Sequence, residues 1–323
     1  MRAGAFCPII GQKRGQVVTN VARAGKTGPE WPTVFVVVAV YLLFGLATTL
    51  LAQTSVVLSV LLTGLVIAQY SSLQHEVLHG HPFASQRLNE ALVYPGLTLF
   101  VPYQRFRDTH LAHHQDERLT DPYDDPESNY MDPEVWHRLS RPVQTFLRFN
   151  NRLAGRLLVG SLLSTWRMVR EDRAAAKAGD KTVTRAWLHH GAGVAMVFAW
   201  LLATGDMPLW AYGLAAYIGY SLLKMRTFLE HRAHDRASGR TVVIEDRGPL
   251  ALLYLNNNLH VVHHMHPKVA WYRLPAIYRD NKDHYLRRND HYVYRSYAQI
   301  FRRYFLRAKD PVPHPLWKRP GGR

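Results

Sequence analysis

Residues 31–73 run for 43 positions without one charged side chain. A second block, residues 187–223, runs for 37 with Asp206 as its single charge. Apolar runs of 18 residues or more read as membrane spans, so an ordinary soluble domain is excluded. Composition agrees once it is read as segregation. Hydrophobic residues make up 47% of the 323, yet mean hydropathy is only −0.19, because charge is concentrated outside the two blocks.

Each block is about twice the roughly 20 residues that one helical span needs, and each is broken near its middle. The first breaks at Gln53-Thr54 and the second at Gly205-Asp206-Met207-Pro208. The expectation is an all-α integral membrane protein with four transmembrane helices in two hairpins, about 32–51 with 55–73 and about 187–204 with 208–225. The net charge of +16, from 40 Lys+Arg against 24 Asp+Glu, then has a place to go. The hairpin tips hold no Lys or Arg, whereas the flanks are basic. The positive-inside rule therefore puts residues 1–30, 74–186 and 226–323 in the cytoplasm. Residues 1–30 carry Arg2, Lys13, Arg14, Arg23 and Lys26 against Glu30, and lack the short apolar run and small-residue cleavage site of a signal peptide. No nucleic-acid fold signature accompanies the basic residues. The single cysteine, Cys7, excludes a disulfide scaffold, a cysteine zinc site and an iron–sulfur cluster.

Between the blocks, residues 91–101 are apolar but too short to span. Pro95, Gly96 and Pro102 interrupt them, which suggests a re-entrant or interfacial element. Residues 143–170 mix Leu with Arg148, Arg152, Arg156, Arg167 and Arg170, the pattern of an amphipathic helix on an anionic surface or on a cytoplasmic cap. The organisation expected is a cytoplasmic segment 1–30, a membrane domain 31–308 and a flexible Pro-rich tail 309–323.

The 18 histidines cluster. His75 and His79 form an HxxxH. His110, His113 and His114 form an HxxHH, and His260, His263 and His264 form a second. Glu230-His231-Arg-Ala-His234 lies between the last two. On a helix, positions i, i+3 and i+4 share a face, so each box points its imidazoles to one side. Imidazole suits Zn, Cu, Fe and Ni. Every box lies in, or directly after, a segment expected on one membrane face. Eight box histidines exceed the three or four ligands of a zinc site and fit two ions. His81 and His266, in His-x-Pro turns beside boxes, read as structural or supporting. His189 and His190 read as interfacial, and His137, His284, His291 and His314 as surface residues. Asn256 to Asn258 either cap the third box's helix or orient its ligands, and Trp271 reads as an interfacial anchor.

HEVLHGHP at 75–82, HLAHH at 110–114 and NNNLHVVHHMHP at 256–267 resemble the three histidine boxes of the membrane fatty acid desaturases, a family that includes carotenoid ketolases. The resemblance covers about residues 70–285. It implies four membrane helices and a cytoplasmic helical cap around two non-haem iron ions, with O2 as co-substrate and electrons from an external carrier. Carried over by position, it makes His75, His79, His110, His113, His114, His260, His263 and His264 metal ligands. The family places a further histidine shortly after the fourth helix. FLEHRAH offers His231 or His234 there, and the expectation is His234, four residues after Glu230, where acyl-CoA enzymes carry Asn-xxx-His. This chain has Glu in place of that Asn. Asp108, Asp116, Asp121, Asp124, Asp125, Glu230 and Asp246 are available to accept imidazole N–H groups.

The resemblance implies a membrane oxidoreductase that introduces a double bond into a lipid or acyl chain, its head group among Arg105, Arg107 and Arg273. No fused cytochrome b5 motif is present, so a separate ferredoxin or cytochrome-type donor is expected, and a bacterial inner membrane is a consistent setting. Three rivals remain at this stage. The same centre could hydroxylate or ketolate a lipid, or desaturate a small amino-acid-like metabolite as dihydrorhizobitoxine desaturase does. A zinc-dependent membrane hydrolase or receptor-like protein belongs to another class, and metal analysis would separate it.

Overall fold

A computed structural model describes residues 28–114 and 116–317, the Asp116 side chain excepted. Cys7, most of the basic N-terminal segment and residues 318–323 lie outside the described residues. The chain is mostly helical. Helix α1 (Trp31–Thr48), continued by the short helix Leu50–Thr54, turns at Ser55 into α2 (Val56–Leu78). The Ser55 hydroxyl caps α2 by accepting the Leu58 N–H. After a loop region come α3 (Tyr103–His113), α4 (Ser161–Lys177), α5 (Lys181–Thr204) and α6 (Leu209–Thr227). Gly205 ends α5 in the left-handed conformation, with φ of 69°. Gln53 Nε2 donates to Asp206 Oδ1 at 2.9 Å, so the two hairpin tips meet at one end of the bundle.

Among the described residues, three helices are long and apolar enough to cross a membrane: Trp31–Thr54, Val56–Leu78 and Lys181–Thr204. The expected fourth span is α6. It has the necessary length, 19 residues, but Lys224 and Arg226 occupy its last turn and it is less apolar than the other three. It packs along α2, where both backbones need small residues. A Cβ added at Gly219 would sit 2.7 Å from the Gly64 carbonyl oxygen. Close approach through small residues is how helices associate where no water drives them together.

After the short helix Gln86–Leu92, residues 93–101 run as irregular backbone. Buried carbonyls there need donors, and tyrosines on the helices supply them. Tyr41 donates to Leu92 O at 2.6 Å, Tyr70 to Val93 O at 2.7 Å and Tyr212 to Leu97 O at 2.8 Å. Val93, Leu97 and Thr98 are buried there, while Tyr94 is exposed.

The all-α expectation needs one correction. Val243–Ile244 (β1) pairs in parallel with Val293–Tyr294 (β2). The β1 segment also lies between two parts of the site: Val242 N donates to Glu230 O, and Ile244 N to Asn258 O. The tail is the second correction. Residues 309–317 are packed rather than loose, through a Met131–Pro313 bridge, a His314–Thr120 contact at 3.2 Å and Trp317 Nε1 donating to Asp121 at 3.0 Å. His314 is accordingly buried rather than at the surface. Trp271, expected as an interfacial anchor, is half-buried, its indole donating to Thr33 Oγ1 at 3.2 Å.

Candidate metal centre

Three helix ends build the site. His75 lies in the last turn of α2 and His79 is its C-cap. His110 and His113 are in the last turn of α3, with His114 as C-cap. The third box opens α7 (His260–Met265). The i, i+4 spacing of the first box and the i, i+3, i+4 spacing of the other two aim the rings to one side, as the sequence requires. The three ends converge into two adjoining groups whose ligand atoms lie within 4.8 Å of one another. One holds His75, His79, His110, His114 and His263; the other holds His113, His231, His260 and His264. The groups touch where the His114 and His264 rings stack at 4.3 Å.

His231 is present in the second group and His234 is not, a correction to the expectation. Helix α6 ends at Thr227, and the chain beyond is extended, bridged antiparallel at His231 and Thr241. The helical i, i+3 relation therefore does not carry over. His231 points inward, with Nε2 2.8 Å from His113 Nε2 and 3.1 Å from His260 Nε2. His234 follows the turn outward, Nε2 lying 3.2 Å from Asp290 Oδ2 and Nδ1 accepting the Arg236 N–H.

Carboxylates and an amide fix several tautomers. His113 Nδ1 faces Asp125 Oδ1 at 2.7 Å, and His110 Nδ1 faces Glu127 Oε1 at 3.0 Å. His260 Nδ1 faces Asn257 Oδ1 at 3.1 Å, while Asn257 Nδ2 donates to Glu230 Oε1 at 2.9 Å. Arg226 completes that chain with Nε 3.1 Å from Glu230 Oε1. An Nδ1 that donates leaves Nε2 with a lone pair, which is the form that binds a metal. Of the seven acids considered from sequence, Asp125 and Glu230 take part. Asp108 pairs with Arg107, Asp121 stabilises its own turn, and Asp246 accepts from the backbone N–H groups of Gly248 and Tyr297. Glu127 and the orienting role of Asn257 are the residues that sequence reasoning missed or left open. Glu127 lies in a loop with no periodic signal, and only its place after the second box marks it.

The donor set fits a pair of metal ions. Two imidazole nitrogens bound at right angles to one ion, each at about 2.0–2.1 Å, lie about 3 Å apart. The Nε2–Nε2 separations of His114 with His110 and with His263 are 3.0 and 3.1 Å. His75 Nε2 and His79 Nε2 are buried with no hydrogen-bond partner among the described residues. Burial first, and then neighbouring imidazoles, hold His79, His114, His231, His260 and His263 well below the ordinary imidazole range, so they are neutral. His113 differs. Against its burial, the Glu127 and Asp125 carboxylates push it up to about 9.

His81 and His266, read from sequence as structural or supporting, lie outside the two histidine groups. His81 Nδ1 lies 2.6 Å from Glu30 Oε2, tying the start of α1 to the end of α2, and His266 Nε2 meets the Tyr285 hydroxyl at 3.0 Å. Arg105 and Arg107, expected near a substrate head group, are engaged by Asp172 and Glu90 at 2.7 and 2.8 Å.

Residues 51–296, which contain all three boxes, match the family model described as fatty acid desaturase. The chain is also 24% identical over 220 residues to a beta-carotene ketolase from Paracoccus sp., an alignment covering 66% of this chain and 73% of the ketolase.

Proposed function

Because the chain belongs to the fatty acid desaturase family, we propose that it is an O2-dependent membrane desaturase that introduces a double bond into a fatty acyl chain. The observation that carries this reading is the pair of adjoining histidine groups, five imidazoles and four, inside the matched segment. In this reading His75, His79, His110, His114 and His263 hold one iron, and His113, His231, His260 and His264 the other. The chemistry that two non-haem irons supply when bound is activation of dioxygen with two electrons, strong enough to take hydrogens from an unactivated chain, which no side chain can do alone.

The protein's part is positional. Asp125 and Glu127 hold the Nδ1 protons of His113 and His110, and Asn257 holds that of His260, so their Nε2 atoms stay directed at the metals. The buried helix ends keep bulk water from the reacting carbon. We place α6 across the membrane with the three more apolar helices, and the site on the cytoplasmic face, where the basic flanks belong. Electrons come from a separate ferredoxin or cytochrome-type carrier. A basic face draws in an acidic one.

A second reading, insertion of oxygen into a lipid, is supported by the ketolase relative. One experiment separates the two. The chain is expressed in a desaturase-deficient host, and total lipids and polar metabolites are compared by mass spectrometry. Desaturation gives a product lacking two hydrogens; hydroxylation or ketolation gives one that gains oxygen. Metal analysis of the purified chain should find about two irons. One zinc in their place would overturn both readings.

A further inference from the structure

Basic side chains rarely enter a protein interior, and among the described residues Arg156, Lys224 and Arg226 lie beside the histidine groups with only part of their donors engaged. Arg156 is 6% exposed and Arg226 3% exposed. Lys224 is half-buried, its ammonium 4.7 Å from the centre of the Tyr220 ring. Arg156 lies on a single π-helical turn, Arg156–Gly160, that leads into α4. Turns of this kind re-aim side chains and recur at functional sites. Gly160 lies between the two side chains: a Cβ placed there would be 3.4 Å from Asn150 Oδ1, 3.5 Å from Arg156 Cδ and 3.7 Å from Lys224 Cγ.

The available partners do not satisfy these cations. Arg156 Nη1 donates to Asn129 Oδ1 at 2.6 Å, but its Nε has no hydrogen-bond partner among the described residues, and neither has Arg226 Nη1. Lys224 interacts electrostatically with Arg156, Glu127, Arg226 and Glu230. Both carboxylates in that set are already engaged, Glu127 by His110 and Glu230 by Asn257 and Arg226. Burial pushes the Arg156 guanidinium down to about 10, so it stays charged at neutral pH. Outside this cluster, Leu158 and Leu162 are exposed on the same turn and the helix it enters.

We propose that Arg156, Lys224 and Arg226 form a pocket for the anionic head group of an amphiphilic substrate, a carboxylate or a phosphate monoester. The assignment rests on reading the adjoining histidines as the di-iron site, because it gives that site a substrate bearing oxyanion charge. It also explains why Arg105 and Arg107, tied up by Asp172 and Glu90, are not the head-group residues.

The test uses the full-length, iron-loaded chain in a non-ionic detergent. Hexanoate, hexyl phosphate and methyl hexanoate are titrated calorimetrically into the wild type, Lys224→Met and Arg156→Gln. Saturable binding of an anion but not of the neutral ester is expected, with affinity falling about ten-fold in each variant, since a hydrogen bond to a charged group contributes about 1.5–3 kcal/mol. The tighter of the two anions identifies the head group as carboxylate or phosphate. Binding of neither anion, equal binding of the ester, or unchanged affinity in both variants overturns the pocket. If the variants fail to fold, the acid-against-ester comparison on the wild type decides alone. Iron content of the same preparations keeps the two ideas apart. Iron without anion binding removes only the pocket, whereas anion binding without iron removes the di-iron reading.

Discussion

His231 and His234 are three residues apart and differ in what they touch. His231 meets two other imidazoles, while His234 meets Asp290 on a partly exposed turn. Replacing His231 with Ala removes one of four donors in its group and should lower bound iron and abolish turnover. His234→Ala should keep both. Iron content and product formation measured on the two variants check this, and the reverse order of loss would mean that the chain after α6 turns differently. Asp125 and Glu127 act through the rings they hold. Asp125→Asn and Glu127→Gln should each cost about 10–100-fold in metal affinity or activity, the usual effect of losing a partner that orients a ligand. Full activity in both would show that the rings are fixed by packing. The eight box histidines were legible because a helical spacing specifies a face. The ninth was narrowed only to His231 or His234, and the choice between them failed because the spacing rule ends where the helix ends, at Thr227, and one sequence cannot announce an extended bridge to Thr241.

At the scale of elements, the hairpins could be read from charge-free length. Their breaks at Gln53-Thr54 and Gly205-Asp206 coincide with the capped turns at Ser55 and Gly205. The contact between α2 and α6 could not be read, because a glycine in an apolar run carries no sign of what approaches it. Gly219 faces Gly64 O and Ile67, and there is no space for a larger residue. Gly219→Val should overpack this contact and cost about 1–3 kcal/mol. It should also displace the end of α2 that carries His75 and His79. A lower unfolding temperature in detergent with a parallel fall in iron content is the expected result. Gly213 has no heavy atom within 4 Å of an added Cβ, so Gly213→Ala is the control and should leave both unchanged. The segment 91–101 is another element whose position depends on distant donors. Tyr41, Tyr70 and Tyr212 are far from it in sequence, so only its apolar character and its prolines were visible beforehand.

For the whole molecule, the arrangement of charge and of metal donors makes one joint demand. The hairpin tips, joined by Gln53 and Asp206, mark one end of the bundle. The histidine groups gather at the opposite ends of α2 and α6, beside Lys224, Arg226 and the basic segments that follow. In the proposed reading, a cytoplasmic electron carrier reaches the site only if that end faces the cytoplasm. Positive-inside topology makes the same assignment on independent grounds, because moving Lys- and Arg-rich loops across a membrane is disfavoured. The orientation can be tested without the active site. In a Cys7→Ser background, Thr54→Cys at a tip should react with a membrane-impermeant maleimide in intact cells. His137→Cys and His284→Cys, both exposed and in segments that the charge pattern assigns to the cytoplasm, should react only after permeabilisation. Labelling of either histidine position in intact cells would put the histidine groups outside. The cytoplasmic donor would then be cut off from the site, and the proposed electron route would fall with the topology.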